Sequence, residues 1–146
     1  CWMLDCILVL CTGNICRSPV AEAMLKAGLP GKTVESAGLG ALVDHPTDPS
    51  AAELARQAGL DVSEHKACQA TTAMFRNADL ILVMSEGQKA RVAELDPTAS
   101  GKTMLIGHWL PGRPDIPDPY KKSREAFAHV HQLLEEAVTA WLPRLK

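Results

Sequence analysis

The sequence predicts an α/β fold: a single three-layer domain, in which an open, four-stranded parallel sheet carries helices on both faces. Three observations predict it. The apolar runs "ILVL" at 7–10 and "LILVM" at 80–84 lack polar alternation, as expected of strands buried on both faces. Such runs alternate along the chain with segments that open on Ser or Asp, then Pro, and close on Gly, the punctuation of short helices. The 146 residues, 47% hydrophobic and 22% charged, suit one core and leave no room for a second domain, so residues 1–146 are read as one unit.

The first strand is residues 7–10. "SPVAEAMLKAG" follows as a helix, with Ser18 as N-cap, Pro19 at the first helical position and Gly28 as the stop. "TVESAG" (33–38) is a short second strand, and "DPSAAELARQAG" (48–59) repeats the helix grammar. "ADLILVM" (78–84) is the third strand and "SEGQKARVAELDP" (85–97) its helix. "KTMLIG" (102–107) is a weaker fourth strand, and "HWLPGRPDIPDPYKKS" is a proline-rich loop. Residues 124–145 form a long amphipathic helix with Phe127, Val130, Leu134, Val138, Trp141 and Leu142 on one side. Parallel neighbours require helical crossovers, which gives the three layers.

A formal net charge of -2 gives no overall pull toward nucleic acid or an anionic membrane. No apolar run approaches the roughly 20 residues that span a bilayer. Five cysteines, an odd number without disulfide-scaffold spacing, fit a reducing, cytoplasmic setting. Met3 reads as the native start.

The informative stretch is "VLCTGNICRSP" at 9–19. In doubly wound sheets ligands bind at the carboxyl ends of strands, and Cys11 stands where the first strand ends. The loop Thr12, Gly13, Asn14, Ile15, Cys16 would wrap its N–H groups around an anion, with the next helix adding the positive end of its dipole. Gly13 and Asn14 both suit positive φ. Those N–H groups and Arg17 favour a thiolate at Cys11, which is a nucleophile. Arg17 supplies a planar fork that matches two oxygens of a phosphoryl group. A Cys and an Arg six positions apart also occur by chance, and an apolar-flanked Cys is often core. The preceding strand, the Gly-Asn pair, the Ser-Pro helix start and the absence of a Walker lysine together make this a phosphate-binding loop built to attack phosphorus.

"CTGNICRS" together with "DPY" at 118–120 resembles the low-molecular-weight protein tyrosine phosphatase family, and the likeness runs through "ESAGLGAL", "HKA", "DLILVM" and "IPDPY". The resemblance implies Cys11 as nucleophile, Arg17 as phosphate clamp and Asp118 as general acid. It also implies that Ser18 stabilises the thiolate, that Asn14, Ser36 and His65 support the loop, and that Tyr120 walls an aryl slot. Chemistry agrees, because a departing phenolate needs a proton. Asp115 is a rival acid in the same loop, but it stands outside the Asp-Pro-Tyr position, and no proton transfer is assigned to it. "GLGALVDHP" has no tryptophan where animal members carry one, so Leu42 is read as the second wall. This pattern resembles the bacterial branch acting opposite tyrosine autokinases in capsule or exopolysaccharide export, implying a phosphotyrosine tail as substrate. No metal or other cofactor is implied. Asp44 and His45 lie beside the expected pocket, where exposed loop residues are commonly just solvated.

Cys16 has two readings: a loop residue offering its N–H to phosphate, or a thiol that forms a reversible disulfide with Cys11. Cys6 and Trp141 are read as core and Cys68 as structural. His129 and His131, two apart on a helix, are wrongly spaced to share a metal. Two rivals share much of the pattern. An arsenate reductase on this fold needs further cysteines just after the third strand, and "VMSEGQKARVAELDP" has none. A non-catalytic phosphoprotein-binding module would have no use for Cys11 and Asp118 together, and a phosphocysteine carrier no use for the acid.

Overall fold

The computed structural model describes residues 5–145, so the expected start at Met3 lies outside them. Four parallel strands, β1 (Cys6–Cys11), β2 (Thr33–Gly38), β3 (Leu80–Val83) and β4 (Thr103–Leu105), form one sheet in the order β2-β1-β3-β4. The helices are α1 (Arg17–Gly28), α2 (Pro49–Gln57), α3 (Thr72–Asn77), α4 (Glu86–Leu95) and α5 (Arg124–Leu145). A 3-10 turn, Pro97–Lys102, precedes β4 in place of the longer α4 that the sequence suggested. It begins where Asp96, capping through its carboxylate, accepts from Thr98 N–H and Pro97 stops the α-helix.

The period-2 alternation of β1 divides the core. Ile7, Val9 and Cys11 point toward α1, α2 and α5, while Leu8 and Leu10 pack with Phe75, Ile81, Val83 and Val92 on the side of α3 and α4. The two covered faces explain why the strands read as unbroken apolar runs. Helix α5 lays Phe127, Val130, Leu134, Val138 and Trp141 on the first layer. Leu142 is only half-buried, yet its methyls occupy the space a Cβ on Gly28 would need. Trp141 is core as expected, and its indole N–H also donates to Ile106 O at 2.8 Å.

Two local expectations change. Strand β1 begins at Cys6, whose side chain is half-buried rather than core. Helix α1 begins at Arg17, so Ser18 is its second residue, not its cap; Cys16 holds the cap position with no side-chain bond. Pro19 becomes the third helical residue, which costs nothing because first-turn N–H groups have no intrahelical acceptor. The Ser18 hydroxyl is committed elsewhere, as the site shows. Helix α2 does follow the predicted grammar, with Asp48 accepting from Ser50 N–H ahead of Pro49.

The sheet order places β1 between β2 and β3, and the chain leaves β1 and β3 toward opposite sides. The crevice at their carboxyl ends is the switch point at which such folds hold ligands.

Candidate active site

Residues 11–17 run from the last residue of β1 into the first of α1, so the loop is held by a strand end and a helix start. Asn14 takes the positive φ, 60°, whereas Gly13 does not. Both were expected to suit it; the side chain of Asn14 decides which does. Its Nδ2 donates to Ser18 Oγ at 2.7 Å and Ser36 Oγ at 3.0 Å, and its Oδ1 accepts from Cys68 N–H at 2.9 Å. His65 Nε2 lies 2.6 Å from the Asn14 carbonyl, which can only accept, so Nε2 carries the proton. Asn14 and Ser18 are fully buried behind the loop. Their side chains form the scaffold of the loop, since their polar atoms are spent on one another and on their neighbours. Ser36 and His65 join this network, and Ser36 Oγ passes its proton toward Glu22 Oε1.

Ser18 Oγ also lies 2.9 Å from Cys11 Sγ. Since it accepts from Asn14, its own hydrogen is available to the sulfur. Arg17 is almost fully buried, with Nη1 donating to Ile116 O at 2.8 Å and Nη2 3.8 Å from Asp118 Oδ2. Its Nε is buried without a hydrogen-bond partner among the described residues.

The second strand supplies one wall. A Cβ on Gly38 would sit 2.5 Å from Thr12 O, so only glycine lets the 39–42 segment run beside the loop. There Leu39, Gly40 and Leu42 donate their N–H groups to the carbonyls of Cys11, Thr12 and Gly13 at 2.9–3.1 Å. These bonds deliver Leu42 to a pocket of about 170 Å³ lined by Cys11, Thr12, Gly13, Ile15, Cys16, Arg17, Gly40, Leu42, Asp118 and Tyr120. Gly40 is a lining residue that the sequence reading missed. Asp44 and His45 are exposed and do not line it. Asp118 is half-exposed, and its Oδ1 accepts from Tyr120 N–H at 3.0 Å, which holds the Asp-Pro-Tyr turn. A larger cavity of about 600 Å³, between α1, β2 and the 61–68 segment, contains neither Cys11 nor Arg17.

Burial first of all, with Asp48, Asp118 and Cys11 adding to it and Arg17 opposing, pushes the Cys16 thiol up to about 12. It is therefore a thiol, not a thiolate, through the neutral range. Burial likewise raises Cys68, whose Sγ donates to Ser36 O at 3.3 Å. Among the described residues no group of three or more His, Cys, Asp or Glu side chains is arranged to hold a metal ion, and no helix is long and apolar enough to cross a membrane.

A family model described as low molecular weight phosphotyrosine protein phosphatase matches residues 6–146. The chain belongs to that family. It is 49% identical over 139 residues to the low molecular weight protein-tyrosine-phosphatase Etp of Escherichia coli, covering 95% of this chain and 93% of Etp. The crystal structure of the tyrosine phosphatase Wzb from Escherichia coli in complex with sulphate superposes with a TM-score of 0.95 at 49% identity, over 99% of this chain and 100% of that one. Wzb of Vibrio vulnificus in complex with benzylphosphonate gives 0.94 at 46%, over 97% and 99%. The fold class and the protein-tyrosine phosphatase activity expected of this family member both stand.

Glu22 and Gln88 are polar partners of this phosphatase's loop that sequence reasoning overlooked. Glu22 joins through Ser36 Oγ, which donates to its Oε1 across from β2, a contact that only the packing of α1 on the sheet creates. Gln88 is far in sequence, and only the fold brings its Nε2 within 3.3 Å of Thr12 Oγ1.

Proposed function

We propose that this phosphatase hydrolyses phosphotyrosine through a cysteinyl-phosphate intermediate. One observation carries the reading: Cys11 and Arg17, at the two ends of one loop, and Asp118, from a segment a hundred residues on, line a single pocket whose sides are Leu42 and Tyr120. The buried, unpartnered Nε of Arg17 supports an oxyanion there, since a phosphoryl oxygen supplies the missing acceptor. The sulphate and benzylphosphonate complexes of the two relatives support the same ligand class.

In this mechanism the Cys11 thiolate attacks phosphorus, forming the S–P bond as the P–O bond to the tyrosine oxygen breaks. Asp118 in its protonated form gives its proton to the departing phenolate. The Asp118 carboxylate then takes a proton from water, the water oxygen bonds phosphorus, and the S–P bond breaks to release phosphate and the thiolate. Ser18 O–H steadies the thiolate at both stages, and Arg17 with the loop N–H groups holds the phosphoryl oxygens. Thr12, Gly13, Ile15 and Cys16 complete the cradle, and Asn14, Ser36 and His65 hold its shape.

The proposed substrate is a phosphotyrosine protein, the tyrosine-rich tail of a bacterial autokinase in polysaccharide export, met in the cytoplasm. This step rests on the resemblance of the aliphatic 39–43 segment to the bacterial branch.

Turnover of p-nitrophenyl phosphate with EDTA present is the direct test. Cys11→Ser should abolish it while still binding vanadate weakly, because a serine hydroxyl is not ionised at neutral pH, and Arg17→Ala should lose both. Turnover by Cys11→Ser within tenfold of the parent overturns the cysteinyl-phosphate step.

A further inference from the structure

The loop that carries Asp118 has few means of being held. Within residues 114–119 three of the six positions are proline, so only Asp115, Ile116 and Asp118 keep backbone N–H groups. The loop nevertheless reaches the nucleophile, held by Arg17 Nη1, which donates to Ile116 O at 2.8 Å, and by two bonds to the segment where α4 starts. Ile116 N–H donates to Met84 O at 2.7 Å, just after β3. The Asp115 carboxylate accepts from the N–H of Glu86, the first residue of α4, at 3.1 Å. That N–H belongs to the helix's first turn, where donors lack intrahelical acceptors and negative charge is favoured.

The start of α4 is itself registered to the phosphate loop. Ser85 caps it, accepting from Gln88 N–H. The buried side chain of Gln88 then spans two segments, accepting from Met84 N–H at 2.8 Å and donating to Thr12 Oγ1 at 3.3 Å. Thr12 follows Cys11 directly. The Met84–Gln88 turn therefore holds the nucleophile's loop on one side and the acid's loop on the other. A Cβ on Gly107 would lie 2.6 Å from Pro114 O, so the base of the acid loop also sits close against the segment after β4.

We infer that Asp115 is a positioning residue for Asp118: by fastening the acid loop to the first turn of α4, it sets the distance between the proton donor and the phenolate oxygen leaving Cys11-bound phosphorus. The locked φ of Pro117 carries that constraint along the three residues to Asp118. Asp115 is assigned no proton transfer; its Oδ1 serves as the acceptor for Glu86 N–H. This inference rests on Asp118 being the general acid.

Five proteins decide it: the parent, Asp115→Ala, Asp115→Asn, Asp118→Ala and the Asp115→Ala/Asp118→Ala double variant, each assayed on aryl phosphates with a range of phenol acidities. Vanadate affinity and thermal melting of each protein report on the cradle and the fold. Asp115→Ala should lower kcat about tenfold on poor leaving groups, the scale of one lost hydrogen bond to a charged acceptor. The loss should shrink as the phenol becomes more acidic, with KM and vanadate affinity little changed. Asp115→Asn keeps an acceptor oxygen and should recover most of that loss. In the Asp118→Ala background Asp115→Ala should cost nothing further, since it acts through Asp118.

A loss equal for all phenols, or one that adds in full to that of Asp118→Ala, overturns the inference in favour of a merely structural contact. Parent-like Asp115→Ala overturns it outright. Equal, leaving-group-dependent losses in Asp115→Ala and Asp115→Asn would make Asp115 a proton donor instead. If Asp118→Ala shows no leaving-group dependence, the acid assignment itself falls and takes the inference with it. That result is distinguishable, because it appears in the Asp118 single variant.

Discussion

Asn14 shows how much one side chain can decide. A short polar side chain tolerates positive φ, and here it also saturates Ser18, Ser36 and the Cys68 N–H, while its carbonyl receives His65. No hydrocarbon side chain could replace the three side-chain bonds: the Cys68 N–H would lose its acceptor and Ser18 and Ser36 a donor, while the His65 bond, made to the backbone, would stay. Asn14→Ala should therefore lower stability by about 2–4 kcal/mol in urea unfolding, the sum of one or two orphaned groups. It should also reduce kcat more than it raises KM, because Ser18 loses its orientation toward Cys11 while the pocket walls remain. A variant with full kcat would mean that Arg17 and the start of α1 shape the loop without Asn14. Residue scale is also where sequence reading was least complete. Ser18 looked like a cap because Ser-Pro opens helices, yet α1 starts one residue earlier and the hydroxyl faces Cys11 Sγ, the role that the resemblance implied.

At the scale of elements, the site is a meeting of ends: β1 brings Cys11, α1 brings Arg17, β2 runs on to Leu42, and α4 anchors the acid loop. Strand β2 and the phosphate loop touch where Gly38 faces Thr12 O. Gly38→Ala must push these backbones apart. It should cost about 1–3 kcal/mol, the usual range for overpacking. It should also raise KM for aryl phosphates, because Leu42 reaches the pocket only through the 39–42 ladder. Urea unfolding and steady-state kinetics on the same sample check both. Unchanged KM with lowered stability would detach Leu42 from the slot.

For the molecule as a whole, the buried Cys16 thiol links the site to alkaline stability. Its thiol is raised from 9.0 to about 12 in the folded chain, so the folded state holds that proton after the unfolded chain has released it. Its contribution is complete below about pH 9 and is lost as pH climbs toward 12. Within that window it contributes a slope of up to about 1.4 kcal/mol per pH unit. Unfolding free energies measured from pH 8 upward should fall more steeply in the parent than in Cys16→Ala. Every other alkaline-titrating group is common to both proteins, so parallel slopes would contradict the burial of this thiol.

Much of this architecture is local information. The unbroken apolar runs of β1 and β3 determine a sheet covered on both faces, since only two-sided burial tolerates them. Asp48-Pro49 determines the start of α2, and the spacing of Phe127, Val130 and Leu134 the inner face of α5. The "CTGNICRS" and "DPY" stretches were legible because a phosphate-binding loop and a turn are made by contiguous residues. Tertiary structure alone decided what crosses between segments: Arg17 bonding Ile116 O, Gln88 reaching Thr12, and Asp115 fastened to α4. Each of these is a directional contact between groups distant in sequence, and hydrogen-bond geometry a few tenths of an ångström wide leaves no periodicity or composition for a sequence to display.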